Sequence, residues 1–398
     1  MSRIVVAPDS FKGTLEAADA AAAIAEGWRS GRPGDELVLL PQADGGEGTI
    51  AAIAAATPGA SVRDAGFVTG PDGRPVRAHW LALPDGTAVV ELAVSSGLPL
   101  MAALDAQGST TRGLGEVIRA AIEAGAASLV VAVGGWASTD GGTGALAALG
   151  ARFLDAVGRE LPDGGGPLAR LASIDATGLV QAPPAQVLTD VTAPLTGPAG
   201  AAAVFGPQKG ASPQDVAELD AALGRLAEVV RRSGAALPEA VRHPGRDSAD
   251  PDAGRRTAGG MPHVDERTPG GGAAGGTGYG LAALLGARIE PGAAAIADLT
   301  GLTAALGDAD LVITGEGRYD AQSGTGKVVG HAIEAARAAG ARIAVVCGAA
   351  GEDAAIGPER GGPDALIALT GLAGSAEAAM TDPARWLRDA GARLAAAF

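Results

Sequence analysis

The sequence predicts an α/β fold, with a parallel sheet covered by helices on both faces and a second sheet of a different kind between the chain ends. Three observations carry this. Apolar runs of strand length alternate with helical segments near both ends of the chain. A turn-rich stretch over 61–92 alternates apolar and polar runs. The apolar content is 47% with only 3% aromatic residues, so the core must be built from closely packed Ala, Val, Leu and Ile. At 398 residues the chain is long enough for two or three domains of roughly 100 to 200 residues each.

The elements follow in order. Residues 4–7 form a short β-branched run read as a strand, 14–28 an Ala-rich helix, and 37–40 a second buried strand. Over 61–92, Gly70-Pro-Asp-Gly73 and Pro84-Asp-Gly86 supply tight-turn chemistry, which predicts an antiparallel meander and the start of a second sheet. A helix over 114–124 ending at Gly125, a strand over 129–133 and a helix over about 142–149 come next. Ser212-Pro-Gln-Asp215 opens a further helix with Pro at its first position. The apolar stripe of that helix runs Val216, Leu219, Leu223, Leu226 and Val230 up to Gly234. From 243 to 272 Gly, Pro, Asp and Arg dominate without apolar periodicity, which reads as a mobile surface loop or lid. Strands over 311–314, 343–347 and 366–369, with a helix over 328–339, restore the α/β alternation, and no internal repeat of solenoid period is present.

Charge and cysteine usage narrow the partners. A net charge of −15, from 45 acidic and 30 basic residues, has the wrong sign for phosphate backbones or anionic lipid, so neither nucleic acid nor membrane is expected. No stretch of about 20 uninterrupted apolar residues occurs, and the start, with one charge and a short apolar run, lacks a cleavage pattern. One cysteine, Cys347, fits a reducing compartment, and the cytoplasm is the expected location.

Five Gly-rich stretches follow or approach strands: Asp44 to Gly48, Gly134 to Gly142, Gly197 to Gly210, Gly270 to Gly280 and Gly315 to Lys327. Glycine lets the backbone approach an anion closely, so this set points to a nucleotide. The lysines sharpen the reading, because only three occur against 27 arginines, and Lys12, Lys209 and Lys327 all stand beside a glycine. Where Arg serves as the general cation, a surviving Lys marks a place for a compact charge on a flexible stem, as phosphate binding uses. Phosphoryl transfer also needs carboxylates for Mg²⁺ and for the acceptor hydroxyl. Asp9, Asp44, Glu47, Asp140, Asp190, Glu316 and Asp320 all lie in predicted loops just after apolar runs, where strand ends line the crevice of an open sheet.

Other chemistries lack their residues. Position 321 is Ala, so Gly326-Lys327 does not complete a P-loop, and no protein-kinase signature set occurs. His79, His243, His263 and His331 show no metal-ligand spacing, and Ser95-Ser96-Gly97 makes no nucleophile elbow. A Gly-x-Gly-x-x-Ala match at Gly46 to Ala51 keeps a nicotinamide-dependent oxidoreductase of a small hydroxy acid as the alternative, alongside a non-catalytic sugar-acid-binding relative of a kinase.

Several ordered motifs together resemble the type 1 bacterial glycerate kinase family across nearly the whole chain. They are Ala7-Pro-Asp-Ser-Phe-Lys-Gly13, Ala43-Asp-Gly-Gly-Glu-Gly-Thr49, Ser109-Thr-Thr-Arg-Gly-Leu-Gly-Glu116, Gly134 to Gly142 and Asp190-Val-Thr192. Phe205-Gly-Pro-Gln-Lys-Gly-Ala211, Ala273-Ala-Gly-Gly276 and Ile313-Thr-Gly-Glu-Gly317 with Asp320, Gln322 and Gly326-Lys327 complete the set. The resemblance implies ATP and Mg²⁺, D-glycerate as acceptor and 2-phospho-D-glycerate as product, in a monomer or homodimer. It also implies a flavodoxin-like domain built from 1–65 and 290–398 and an inserted mixed α/β domain over 66–289.

On that resemblance Lys12, Asp44, Asp190 and Lys209 are the expected catalytic residues. Asp9, Ser10, Gly45, Gly46, Gly135, Ser138, Thr139, Asp140, Gly315, Arg318, Asp320 and Lys327 are expected around substrate and phosphates. Two of Asp44, Glu47, Asp190 and Glu316 are expected to hold Mg²⁺, and Asp190 or Asp44 to orient or deprotonate the acceptor hydroxyl. One departure is Trp136, where the family has a small Ser; its ring is expected to crowd a phosphate or glycerate oxygen, to stack on adenine or to face solvent.

Overall fold

A computed structural model describes residues 1–233, 264–324 and 327–398. In chain order its strands are β1 (Arg3–Val6), β2 (Glu36–Leu39), β3 (Ser61–Thr69), β4 (Pro75–Ala82), β5 (Thr87–Glu91), β6 (Ser128–Ala132) and β7 (Arg152–Leu154). They continue with β8 (Ser173–Asp175), β9 (Ala185–Leu188), β10 (Arg288–Glu290), β11 (Leu311–Tyr319), β12 (Arg342–Ala350) and β13 (Ala365–Ala368). The chain divides into two compact units, one of Met1–Asp44, Gly48–Pro58 and Pro291–Phe398, the other of Gly45–Glu47 and Gly59–Glu290.

The first unit holds a five-stranded, all-parallel sheet of order β13-β12-β11-β1-β2. Numbered within this sheet the order is that of flavodoxin-like folds, with its switch point between β1 and β11. Because side chains alternate across a strand, the apolar runs feed both faces. Ile4, Val6, Ile313, Ala344 and Val346 pack with Trp28, Leu387 and Leu394 on one face. Val5, Val312, Ile343, Val345 and Cys347 pack with Leu302, Val329 and Ile333 on the other. Helices Ala17–Gly31 and Pro383–Ala397 lie close together because Gly27 and Gly391 face the partner's backbone, where a Cβ would overlap the carbonyls of Arg388 and Ile24.

Two of these strands run beyond their sequence limits. β11 continues through Gly315-Glu316-Gly317 to Tyr319 and β12 to Ala350, because Arg318 and Tyr319 still pair with Ala349 and Ala350. Glycine punctuation that reads as a loop is here accommodated in the sheet: Gly315 lies against the Val346 carbonyl with no room for a Cβ.

The second unit carries a six-stranded mixed sheet of order β10-β9-β6-β5-β4-β3. β3, β4 and β5 form the antiparallel meander that the Pro-Asp-Gly turns predict, and β5, β6, β9 and β10 are parallel. Its core gathers Trp80, Leu92, Leu114, Ile118, Leu129, Val131, Leu146, Leu223, Leu226 and Tyr279. Helix Pro213–Ser233 starts where its sequence pattern places it, with the Ser212 amide donating to Asp215 Oδ2 at 2.9 Å and the Asp215 amide to Ser212 Oγ at 3.2 Å. Of the expected surface loop over 243–272, residues 243–263 lie outside the described residues. Residues 264–272 are a packed turn, tied down by Leu195 N to the Glu266 carbonyl at 3.0 Å and Gly272 N to the Ala193 carbonyl at 2.9 Å.

Candidate active site

In the first unit the carboxyl ends of β1 and β11 open onto a recess of about 440 Å³. Asp9, Ser10, Phe11, Lys12 and Thr14 reach it from the turn after β1, and Asp44 from the segment after β2. Glu316, Gly317 and Arg318 reach it from β11, and Asp320, Ser323 and Lys327 from the segment that follows. The turn after β1 is fastened to β11, because Asp9 N donates to the Gly315 carbonyl at 2.8 Å and Thr314 Oγ1 to the Ala7 carbonyl at 2.9 Å.

The carboxyl groups of this recess are shifted chiefly by burial. Burial, then the neighbouring Asp44, pushes the Asp9 carboxyl up to about 7; Ser10 N and Lys12 pull the other way, and Glu316 adds to the rise. Burial likewise raises the Glu316 carboxyl, against a hydrogen bond from Ser323 and the charges of Lys327 and Lys12. Its Oε1 is buried without a hydrogen-bond partner, which is a costly state for a carboxylate oxygen. Lys12 is largely exposed, with Nζ 3.9 Å from Asp44 Oδ2, and Arg318 Nε donates to Asp320 Oδ2 at 3.0 Å. Among the described residues no set of three or more His, Cys, Asp or Glu side chains converges on one metal position. That pattern excludes a closed structural cage among them, but Mg²⁺ is ordinarily held by one or two carboxylates together with phosphate oxygens and water.

The other expected site residues, apart from Gly315 inside β11, lie in the second unit. Gly45, Gly46 and Glu47 form a turn there, with the Gly134 amide donating to the Gly45 carbonyl at 2.9 Å. Gly134 must lack a side chain, because a Cβ would overlap Gly46. Gly135 follows at φ 74°, and Ser138, Thr139 and Asp140 are completely buried. Asp140 accepts from Thr111 N at 2.9 Å, Thr111 Oγ1 at 2.8 Å, Gly142 N at 3.1 Å and Gly144 N at 3.2 Å. Burial raises its carboxyl, and these four donors oppose the rise. Asp190 follows β9.

Lys209 is also buried in the second unit, at 1% exposure. Its Nζ donates to the Ser138 carbonyl and, at 3.0 Å, to Thr139 Oγ1, and burial brings the amine down to about 7 against the pull of Asp140. Trp136 packs beside it, with the ring edge-on to Phe205 at 4.9 Å and Lys209 Nζ 5.4 Å from its centre. The bulky residue is thus accommodated by an aromatic and a cationic neighbour. Of the three lysines, two line one recess and the third braces a buried loop.

Sequence reasoning missed the far wall of the recess, formed by Leu369, Thr370, Ala376, Ala379, Met380 and Pro383. Part of the signal was there in the spacing of Ala376, Ala379 and Met380, which brings apolar residues onto one face of helix Ala376–Thr381; Pro383 opens a separate helix.

A parallel sheet that collects ammonium and carboxylate groups at its switch point fits an α/β enzyme of the phosphotransferase class. The model of the glycerate kinase family matches residues 4–398, and the chain belongs to that family. It is 44% identical over 333 residues to the glycerate 2-kinase of Escherichia coli (strain K12), covering 82% of this chain and 80% of the relative. With the glycerate kinase of Bacillus subtilis (strain 168) it shares 40% identity over 358 residues, 88% of this chain and 86% of that one. A crystal structure from Salmonella typhimurium LT2, of a protein assigned as glycerate kinase 2, superposes with a TM-score of 0.80 at 37% identity and covers 100% of this chain and 98% of its own. Among the described residues no helix is long and apolar enough to cross a membrane.

Proposed function

We propose that the chain is a cytoplasmic glycerate 2-kinase that transfers the terminal phosphoryl group of ATP, with Mg²⁺, to D-glycerate, giving 2-phospho-D-glycerate. The observation that carries the reading is the single recess shared by Lys12 and Lys327 with Asp9, Asp44 and Glu316. The 2-phosphate product is supported by the name of the Escherichia coli relative.

The recess residues fit a divalent cation. Glu316 Oε1 is buried and unpartnered, and burial, then the neighbouring Asp44, disfavours charge on the Asp9 carboxyl, so the recess holds carboxylate oxygens that a divalent cation would stabilise. Asp44 and Glu316 are the proposed ligands in the recess, and the ion would supply charge neutralisation between donor phosphates. Lys12 and Lys327 hold the donor phosphates and stabilise the charge of the transferring group. Asp44, next to Lys12, orients the acceptor hydroxyl and takes its proton. Arg318, Asp320 and Ser10 fix ligand orientation from the rim. Roles for Glu47, Asp190, Lys209 and the Gly134–Gly142 loop in binding or catalysis rest on the motif resemblance.

A coupled assay of ADP formation with D-glycerate tests the reading. Lys12→Ala and Lys327→Ala should each lower kcat by roughly 10²-fold or more. Unchanged turnover in both variants would overturn it. A ³¹P NMR spectrum of the product separates the 2-phosphate from the 3-phosphate.

A further inference from the structure

The recess has an apolar wall that the phosphate chemistry leaves without a role. Leu369, Ala376, Ala379, Met380 and Pro383 line the same recess as Lys12 and Lys327. They come from helix Leu369–Ala373, which follows β13, from helix Ala376–Thr381, and from the first residue of helix Pro383–Ala397. Leu369 and Ala379 are buried, but Met380 is 61% exposed, an uncovered thioether among apolar neighbours. The wall lies toward the β12–β13 side of the sheet, since Leu369 directly follows β13, whereas the charged groups lie on or follow β1, β2 and β11.

We propose that this wall is the nucleobase subsite of the phosphoryl donor, a purine nucleoside triphosphate laid across the strand ends with its phosphates toward Lys12 and Lys327. The inference rests on the kinase reading above and adds to it the position of the base. A purine offers flat apolar faces that a polarizable Met and small aliphatic residues cover well. Glycerate, with a carboxylate and two hydroxyls, has no apolar surface for such a wall to bury. One ligand that is anionic at one end and apolar at the other accounts for both ends of the recess.

The test uses neutral substitutions at exposed positions, Met380→Asn and Ala376→Gln, with Met380→Leu as the conservative control. Calorimetric Kd values are measured for ATP and for inorganic tripolyphosphate, which carries the charge without the base. ATP affinity should fall about fivefold to tenfold in Met380→Asn and Ala376→Gln and stay within about twofold in Met380→Leu, in keeping with loss of one apolar contact area. Tripolyphosphate affinity should stay within about twofold throughout. Unchanged ATP affinity in both polar variants, an equal loss for tripolyphosphate, or no ATP binding by the wild type overturns the proposal. Absence of ADP formation by the wild type with glycerate overturns the kinase reading instead, and the subsite is judged on ATP affinity alone.

Discussion

Replacing Asp9 by Asn tests whether burial and the neighbouring Asp44 make a charged carboxylate at this position costly. Asn keeps the side-chain size and an Oδ1 that can accept from the Ser10 amide, a bond of 2.6 Å in the native chain. It removes only the charge. Burial and the neighbouring Asp44 lift this carboxyl from 3.8 to about 7, roughly three pH units. At about 1.4 kcal/mol per unit the full shift corresponds to about 4 kcal/mol. Asp9 is only partly shielded from solvent, and relaxation with water entry brings the expected value nearer 2 kcal/mol.

The sign follows from proton linkage. Between pH 4 and 7 the native state binds more protons at this site than the unfolded state, so wild-type stability falls as pH rises through that window and levels off above it. Asp9→Asn lacks this loss. Near pH 4 the two proteins should unfold at similar temperatures. By pH 8 the variant should melt higher by about 4–8 °C, taking ~2–4 °C per kcal/mol for a unit of this size. Scanning calorimetry between pH 4 and 8.5 reads the difference directly. Equal melting at pH 8, or a gap already at full size at pH 4, would refute the claim that Asp9 is held protonated by its surroundings.

Lys209→Met should respond in the opposite direction. The native amine is depressed from 10.5 to about 7, so the unfolded chain binds more protons between pH 7 and 10.5 and wild-type stability rises with pH there. Urea unfolding at pH 7 and 9 should show a gain of about 2 kcal/mol in the wild type that the variant lacks, and parallel behaviour of the two proteins would sink the idea. Gly134→Ala should destabilise the second unit by about 1–3 kcal/mol, because the added methyl overlaps Gly46 and must displace the turn over Gly45–Glu47. Thermal unfolding checks this, and an unshifted transition would mean that the turn yields at no cost.

The legible parts of the fold were those set by local chemistry. The alternating runs at 4–7, 311–314 and 343–347 identify buried parallel strands because both strand faces are apolar, and the core divides Ile4 and Val6 from Val5 in that manner. Pro-Asp-Gly turns locate the meander, and the Ser212–Asp215 pair locates a helix start. What escaped was where glycine stops acting as a breaker. Gly315 and Gly317 sit inside β11, and at Gly315 the chain lies against the Val346 carbonyl, where a Cβ would not fit, without a turn. No local signal separates that use of glycine from the left-handed Gly48, which caps helix Thr49–Ala56.

The candidate site was legible by residue type and only partly by role. Asp9, Lys12, Asp44, Glu316 and Lys327 share a recess because each stands at or just beyond the carboxyl end of a parallel strand or its neighbour, and strand order brings such ends together. The same argument from glycine and lysine included Lys209 and Asp140, which share the composition of phosphate loops but lie at full burial. Burial reverses what such groups can do. An exposed ammonium beside a glycine is free to meet a phosphate, whereas Lys209 has Ser138 and Thr139 as acceptors and loses much of its basicity to desolvation. Sequence reports the chemistry a side chain carries. Whether that chemistry faces a ligand or holds up a loop is decided by the packing around it, which for Asp140 depends on Thr111 and for Lys209 on Trp136, each distant in sequence from the group it packs against.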